Sequence, residues 1–127
     1  TEAREKLKKH IVHFGFLESF EEYAHWLWKS DILPITSNQD FFGGSIMEAV
    51  YCNTFPLLPN RLTYPELFLK KENNHLFYDD SDFIKKLKFT IENISEIKKY
   101  PLLKIAERYD WSNMVNIYDK QFSEMAY

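Results

Sequence analysis

Two spacings of apolar residues alternate along the chain, one suited to short buried strands and one to amphipathic helices. Thr1 to Lys9 is dominated by charge and reads as the end of an exposed helix. "HIVHFGF" is a short apolar run with β-branched residues, closed by Gly15, and predicts a buried strand. Ser19 begins a helix, with Glu22 three residues on completing a capping box, and Phe20, Tyr23, Ala24 and Leu27 share one face of it. "DILPITS" predicts a second strand, although Pro34 has no N–H for a ladder and argues against a central position. Gly44 to Tyr51 predicts a helix, "TFPLLP" a third strand and "NNHLFYDD" a short fourth. Ile84, Leu87, Ile91 and Ile94 mark a long amphipathic helix, Pro101 opens another, and Asp110 caps a last one from Trp111.

Strands separated by helices are the pattern of parallel βαβ units, so the expected fold class is α/β: a Rossmann-like parallel sheet of about four strands with helices on both sides. That is fewer strands than doubly wound sheets commonly have, and the pattern opens on a helix. No internal repeat, low-complexity segment or linker divides the 127 residues. Composition adds bounds. Apolar residues at 45% and charged residues at 28% are ordinary for a globular domain, and a net charge of −3 argues against a grip on nucleic acid through overall charge. Cys52 is the only cysteine, which excludes an intrachain disulfide and a multi-cysteine metal site. No apolar run approaches a membrane span and "TEAREKLKKH" is no signal peptide, so a soluble, cytoplasmic protein is expected.

Two of the three glycines stand side by side in "SNQDFFGGSIMEAVYCNTFPLLPN". In an open parallel sheet, ligands bind beyond the carboxyl ends of strands, where helix N-termini also point. The unpaired N–H groups of a first helical turn suit a phosphate or sugar oxygen. Asp40 lies before that turn and Glu48 about one turn inside it. Carboxylates repel a diphosphate but accept from hydroxyls, so a ligand with phosphates in its middle and polyols at its ends, a nucleotide-sugar, fits the layout. A second reading fits the same residues: the Gly pair allows close helix–strand packing, and acidic residues favour a helix's first turn with no ligand.

The stretch also resembles the donor-site signature of retaining GT-B glycosyltransferases, with an acidic residue, a glycine-containing loop, a Glu eight positions on followed by Ala, a small-residue turn and a Pro-led strand. The similarity is closer still to the tRNA-queuosine mannosyltransferases and their glycosyltransferase-like relatives. It is carried by "HFGFLES", "EEY", "SDI", "DFFGGSIMEAVYCNTFPLLPNRLTYPELF" and "DWSNM". The resemblance implies that residues 1–127 are a partial C-terminal nucleotide-sugar-binding domain, lacking an N-terminal acceptor domain and the first donor-domain units. It implies a GDP-mannose donor, queuosine in tRNA as acceptor (the tRNA held by the missing half), and no cofactor or metal.

Position by position, Asp40 would take the catalytic place facing the donor sugar, and Glu48 would accept from the ribose hydroxyls. Gly43, Gly44, Ser45 and Ile46 would offer backbone N–H groups to the diphosphate or sugar. Gly15 and Phe16 would lie near the base. Read from the residues alone, the Phe41-Phe42 pair could wall a sugar pocket, with at least one of the two expected to pack into the core. Two residues depart from the family pattern: Asp40 replaces a Glu, and Asn53 stands where glycine is common. The basic residues that neutralise the diphosphate have no counterpart near the Gly turn, so the isolated piece is expected to be inactive and its uncovered surface to promote a homodimer. Outside the resemblance, His10, His13, His25 and His75 lack the clustered partners of a metal site, and Cys52 lacks a neighbouring base. Arg61 could reach a phosphate or sit in a salt bridge. Other classes stay open: transfer to a surface glycan or lipid, or a non-catalytic Rossmann-like module that binds a partner through its sheet edge.

Overall fold

Three short strands form one parallel sheet in the order β1-β2-β3 in the computed structural model, which describes residues 1–126. They are β1 (Ile32–Pro34), β2 (Phe55–Pro59) and β3 (Phe77–Tyr78). The helices are α1 (Glu2–Leu7), α2 (Phe20–Lys29), α3 (Gly44–Tyr51), α4 (Tyr64–Leu67), α5 (Phe83–Glu92), α6 (Ile94–Ile97), α7 (Leu103–Glu107) and α8 (Trp111–Met125). The α/β class and the parallel sheet agree with the pattern in the sequence. The strand expected at "HIVHFGF" does not form: residues 11–17 are irregular and Val12, Phe14 and Phe16 are exposed. β-Branched residues favour a strand only where a ladder partner accepts it, and β1 pairs with β2 alone.

Every residue of β2 is buried although two of its five are prolines, and the register explains how. Residues of a parallel strand direct their N–H and C=O alternately to the two neighbours. Phe55 N–H donates to Asp31 and the Leu57 carbonyl accepts from Ile35 N–H, so Phe55, Leu57 and Pro59 address β1. Asn60 N–H donates to Tyr78, so Pro56, Leu58 and Asn60 address β3. Pro56 precedes the point where β3 begins, since Leu58 is the residue opposite Phe77. Pro59 lies where its N–H would meet the carbonyl of Ile35, and the Tyr78 hydroxyl donates to that carbonyl instead, at 2.7 Å. Pro34 turns its missing N–H to the free edge of β1, which reconciles a proline with this edge strand.

The chain passes from α3 to β2 through a Schellman turn. Asn53 is left-handed (φ 61°), its N–H donates to Val50 and that of Thr54 donates to Ala49. The asparagine therefore does the work of the expected glycine. Thr54 is buried, and its hydroxyl donates to the Leu27 carbonyl at 2.7 Å, fastening the end of α2 to the head of β2. The core joins Phe55 and Leu58 of β2 to Ile46 and Val50 of α3, and to Ile105 and Ala106 of α7. The long amphipathic helix expected around Ile84 to Ile94 is broken at Asn93 into α5 and α6, and both Ile84 and Ile91 are exposed. No residue of α1 or α8 is buried. Among the described residues no helix is long and apolar enough to cross a membrane.

Candidate functional site

Helices α2 and α3 face one another across an open cavity of about 450 Å³. From α2 come Phe20, Tyr23, Ala24, Leu27 and Trp28, and from α3 and its C-cap come Gly44, Met47, Glu48, Tyr51 and Cys52. Both sets follow the same one-face helical spacing of i, i+3, i+4, i+7 and i+8. The apolar stripe of α2 thus lines a groove and contributes no residue to the buried core. Phe42, Ala106, Tyr109 and Asp110 complete the wall, with Phe42 edge-on to Tyr109 at 5.8 Å between ring centres. The volume lies in the range of small-molecule sites, and the wall is mostly apolar with a few polar groups.

The loop before α3 is fixed by Asp40. Its Oδ1 accepts from Gly43 N–H and its Oδ2 from the buried Tyr64 hydroxyl, each at 2.9 Å. These bonds, that from Gly43 first, hold the Asp40 carboxyl below the usual carboxylate range. Burial, and then the bond to Asp40, push the Tyr64 phenol up. Gly43 is left-handed at φ +68°, the conformation that glycine adopts without strain, whereas nothing lies within 4 Å of a Cβ added at Gly44. Only part of the expected row of N–H donors is available. Gly43 N–H serves Asp40, and Ile46 N–H donates to the Gly43 carbonyl at 3.0 Å while its side chain is buried in the core. The N–H groups of Gly44 and Ser45 have no protein acceptor among the described residues.

Glu48 projects from the cavity face of α3, and its Oε2 accepts from the Tyr23 hydroxyl of α2 at 2.8 Å. Burial and then this bond push the Tyr23 phenol up to about 12. Cys52, the C-cap of α3 one turn beyond Glu48, is buried, and burial followed by the nearby Glu48 charge raises its thiol. Asp110 caps α8 through the Ser112 N–H at 2.8 Å. The cavity therefore carries two carboxylates, and no lysine or arginine lines it.

Of the residues singled out in the sequence, Phe42, Gly44 and Glu48 meet in this cavity. Asp40 and Gly43 stand behind it in the loop, and Ser45 is exposed outside it. Gly15 and Phe16 line neighbouring hollows, with Tyr23 on the shared wall. Phe41 is 97% exposed, so the pair supplies one wall residue and no core residue. Arg61 pairs with Asp80 and donates to the Ser37 carbonyl, which is the salt-bridged alternative. His75 stacks on Tyr100 at 3.9 Å and His13 on Trp26 at 6.3 Å. Among the described residues no three His, Cys, Asp or Glu side chains gather as a metal site. Tyr23, Trp28, Tyr51, Tyr109 and Asp110 are among the wall residues that sequence reasoning missed. The signal for Tyr23 was a hydroxyl on an otherwise apolar helix face.

With Glu48 and Gly44 on one wall, comparison with known proteins becomes informative. The chain is similar to the tRNA-queuosine alpha-mannosyltransferase of Drosophila melanogaster. The two are 42% identical over 84 residues. The match covers 66% of this chain but 21% of the relative, so the chain spans about a fifth of that relative's length. The resemblance drawn from the sequence motifs is thereby upheld. No protein-family model and no solved structure matches the chain.

Proposed function

We propose that this chain is the donor-binding part of a retaining glycosyltransferase of GT-B architecture, whose whole protein transfers mannose from GDP-mannose to queuosine in tRNA. The similarity to a tRNA-queuosine alpha-mannosyltransferase is the observation that carries this reading. The cavity between α2 and α3 supports it. Glu48 there is an acceptor for sugar hydroxyls, and Gly44 opens the first turn of α3 to a ligand's backbone contacts. In this reading Phe42 packs against the sugar, and Gly15 and Phe16 bound the neighbouring hollow on the base side. Asp40, in the catalytic place, keeps its two hydrogen bonds to the protein and uses its remaining lone pairs toward the donor sugar. Ser45 offers its N–H from the rim.

The reaction needs the leaving diphosphate to be stabilised, chiefly by positive charge. The cavity has no basic residue to supply it, so transfer requires residues outside this chain. The test incubates the longer protein with a panel of nucleotide-sugars and queuosine-containing tRNA and follows sugar incorporation by mass spectrometry. Mannose transfer from GDP-mannose, lost on Glu48→Gln, is the expected result. An intact, folded protein that neither binds a nucleotide-sugar nor transfers a sugar overturns the proposal and leaves the interaction module as the better account.

A further inference from the structure

The hydrogen bond between Tyr23 and Glu48 joins two helices across the candidate site, and nothing in the sequence motifs required it. Glu48 is exposed on α3, where an untethered glutamate samples several rotamers and loses that freedom when a ligand fixes it. The Tyr23 hydroxyl at 2.8 Å removes much of that freedom before any ligand arrives. It also takes one oxygen and leaves the other. Oε2 is occupied, whereas Oε1 has no protein donor among the described residues. Tyr23 itself is well placed to act as an anchor. Tyr23 is half-buried, and its ring stands between the α2–α3 cavity and the two hollows around Gly15 and Phe16, with the Phe20 ring beside it at 6.3 Å between centres. Its raised pKa keeps the phenol protonated, and so a donor, throughout the physiological range.

We propose that Tyr23 is a positioning residue of the donor site, fixing the Glu48 carboxylate by its Oε2 so that Oε1 accepts from the ribose hydroxyls of a bound nucleotide. The proposal rests on the donor-site reading above and adds a specific division of labour between the two carboxylate oxygens. Removing the hydroxyl while keeping the ring leaves the cavity wall in place and frees Glu48 to rotate.

The experiment titrates GDP-mannose into the longer protein as wild type, Tyr23→Phe, Glu48→Gln and the double variant, with binding followed by calorimetry. Near-ultraviolet circular dichroism checks that each variant keeps the native packing. The expected result is a dissociation constant raised about five- to twenty-fold by Tyr23→Phe, the range of a hydrogen bond to a charged group acting through pre-organisation. In the Glu48→Gln background the same change moves it less than about two-fold, because the group being positioned has gone. A binding wild type whose affinity Tyr23→Phe leaves unchanged overturns the positioning role while the donor site stands. An equal loss in both backgrounds also overturns it, since Tyr23 would then act as a wall and not through Glu48. A longer protein that shows no binding up to millimolar GDP-mannose overturns the donor-site reading itself, and this inference falls with it. Because one oxygen does the work, GDP with a 2′-deoxyribose is expected to bind wild type and Tyr23→Phe more nearly alike than GDP does.

Discussion

Adjacent glycines can have unrelated reasons to be glycine, and the pair before α3 illustrates this. Gly43 is set by backbone geometry. At φ +68° a side chain would be strained, although an added Cβ would meet Ile46 and Tyr64 only at an ordinary 3.6 Å. Gly44 is set by nothing in the folded protein, since its φ is ordinary for an L residue and the space beside it is open. Gly43→Ala is therefore expected to cost about 1–2 kcal/mol, the price of left-handed backbone in an L residue. Gly44→Ala is expected to leave stability unchanged or to raise it by up to about 1 kcal/mol, through a less flexible unfolded chain. Urea denaturation of the two variants distinguishes them, and equal losses would refute the assignment. A ligand that approaches the first turn of α3 adds a second contrast, because Gly44→Ala then weakens binding without weakening the fold. Sequence reasoning identified the pair but assigned both glycines to one cause. The sign of φ at each could not be had from residue type alone.

Elements with strong local signals were legible in the sequence, and those defined by a partner were not. Ser19 does accept from Glu22 N–H at the start of α2, and α3 starts and stops where the Gly pair and "CNT" place it. The capping box is only half made: the Glu22 carboxylate does not accept from Ser19 N–H, and the Ser19 hydroxyl donates to Glu21 at 2.8 Å. "HIVHFGF" has strand composition but no strand beside it, whereas "TFPLLP" has two prolines and is the central strand. Position relative to its neighbours made the difference, and it also creates a dependence between residues 19 apart in sequence. Tyr78 supplies the donor that Pro59 cannot, to a buried carbonyl at Ile35. Tyr78→Phe leaves that carbonyl unpaired and is expected to destabilise by about 1–3 kcal/mol. In the Tyr78→Phe background, Pro59→Ala restores an N–H on the same side of β2 and is expected to recover part of the loss. Chemical denaturation of the four proteins in this cycle tests the coupling. Strictly additive effects would show that the hydroxyl and the missing N–H do not serve one carbonyl.

At the scale of the whole molecule, the cavity owes its character to helices brought together from three parts of the chain. Its acidic balance could not be assigned until Tyr23, Glu48 and Asp110 were seen to share a wall. Two carboxylates line it with no lysine or arginine among the lining residues, and the Arg108 guanidinium lies over the ring of Tyr109 at 5.7 Å. Sugar hydroxyls can donate to such a wall, but phosphates find only the N–H groups of Gly44 and Ser45, offset by the carboxylates' repulsion. A charge-assisted contact contributes about 1.5–3 kcal/mol, so a site with two such contacts to a diphosphate would prefer GDP to guanosine by several decades. This chain is expected to bind GDP no more than about ten-fold tighter than guanosine, with little dependence on salt between 50 and 200 mM. In the proposed longer protein the preference should appear together with salt dependence, because on that proposal the positive charge comes from outside these residues. NMR titrations of the chain with guanosine, GMP and GDP at two ionic strengths measure each step. A steep rise in affinity with each added phosphate, lost at high salt, would mean that the chain already holds a cation site for the diphosphate, and that the cavity between α2 and α3 is not where the phosphates lie.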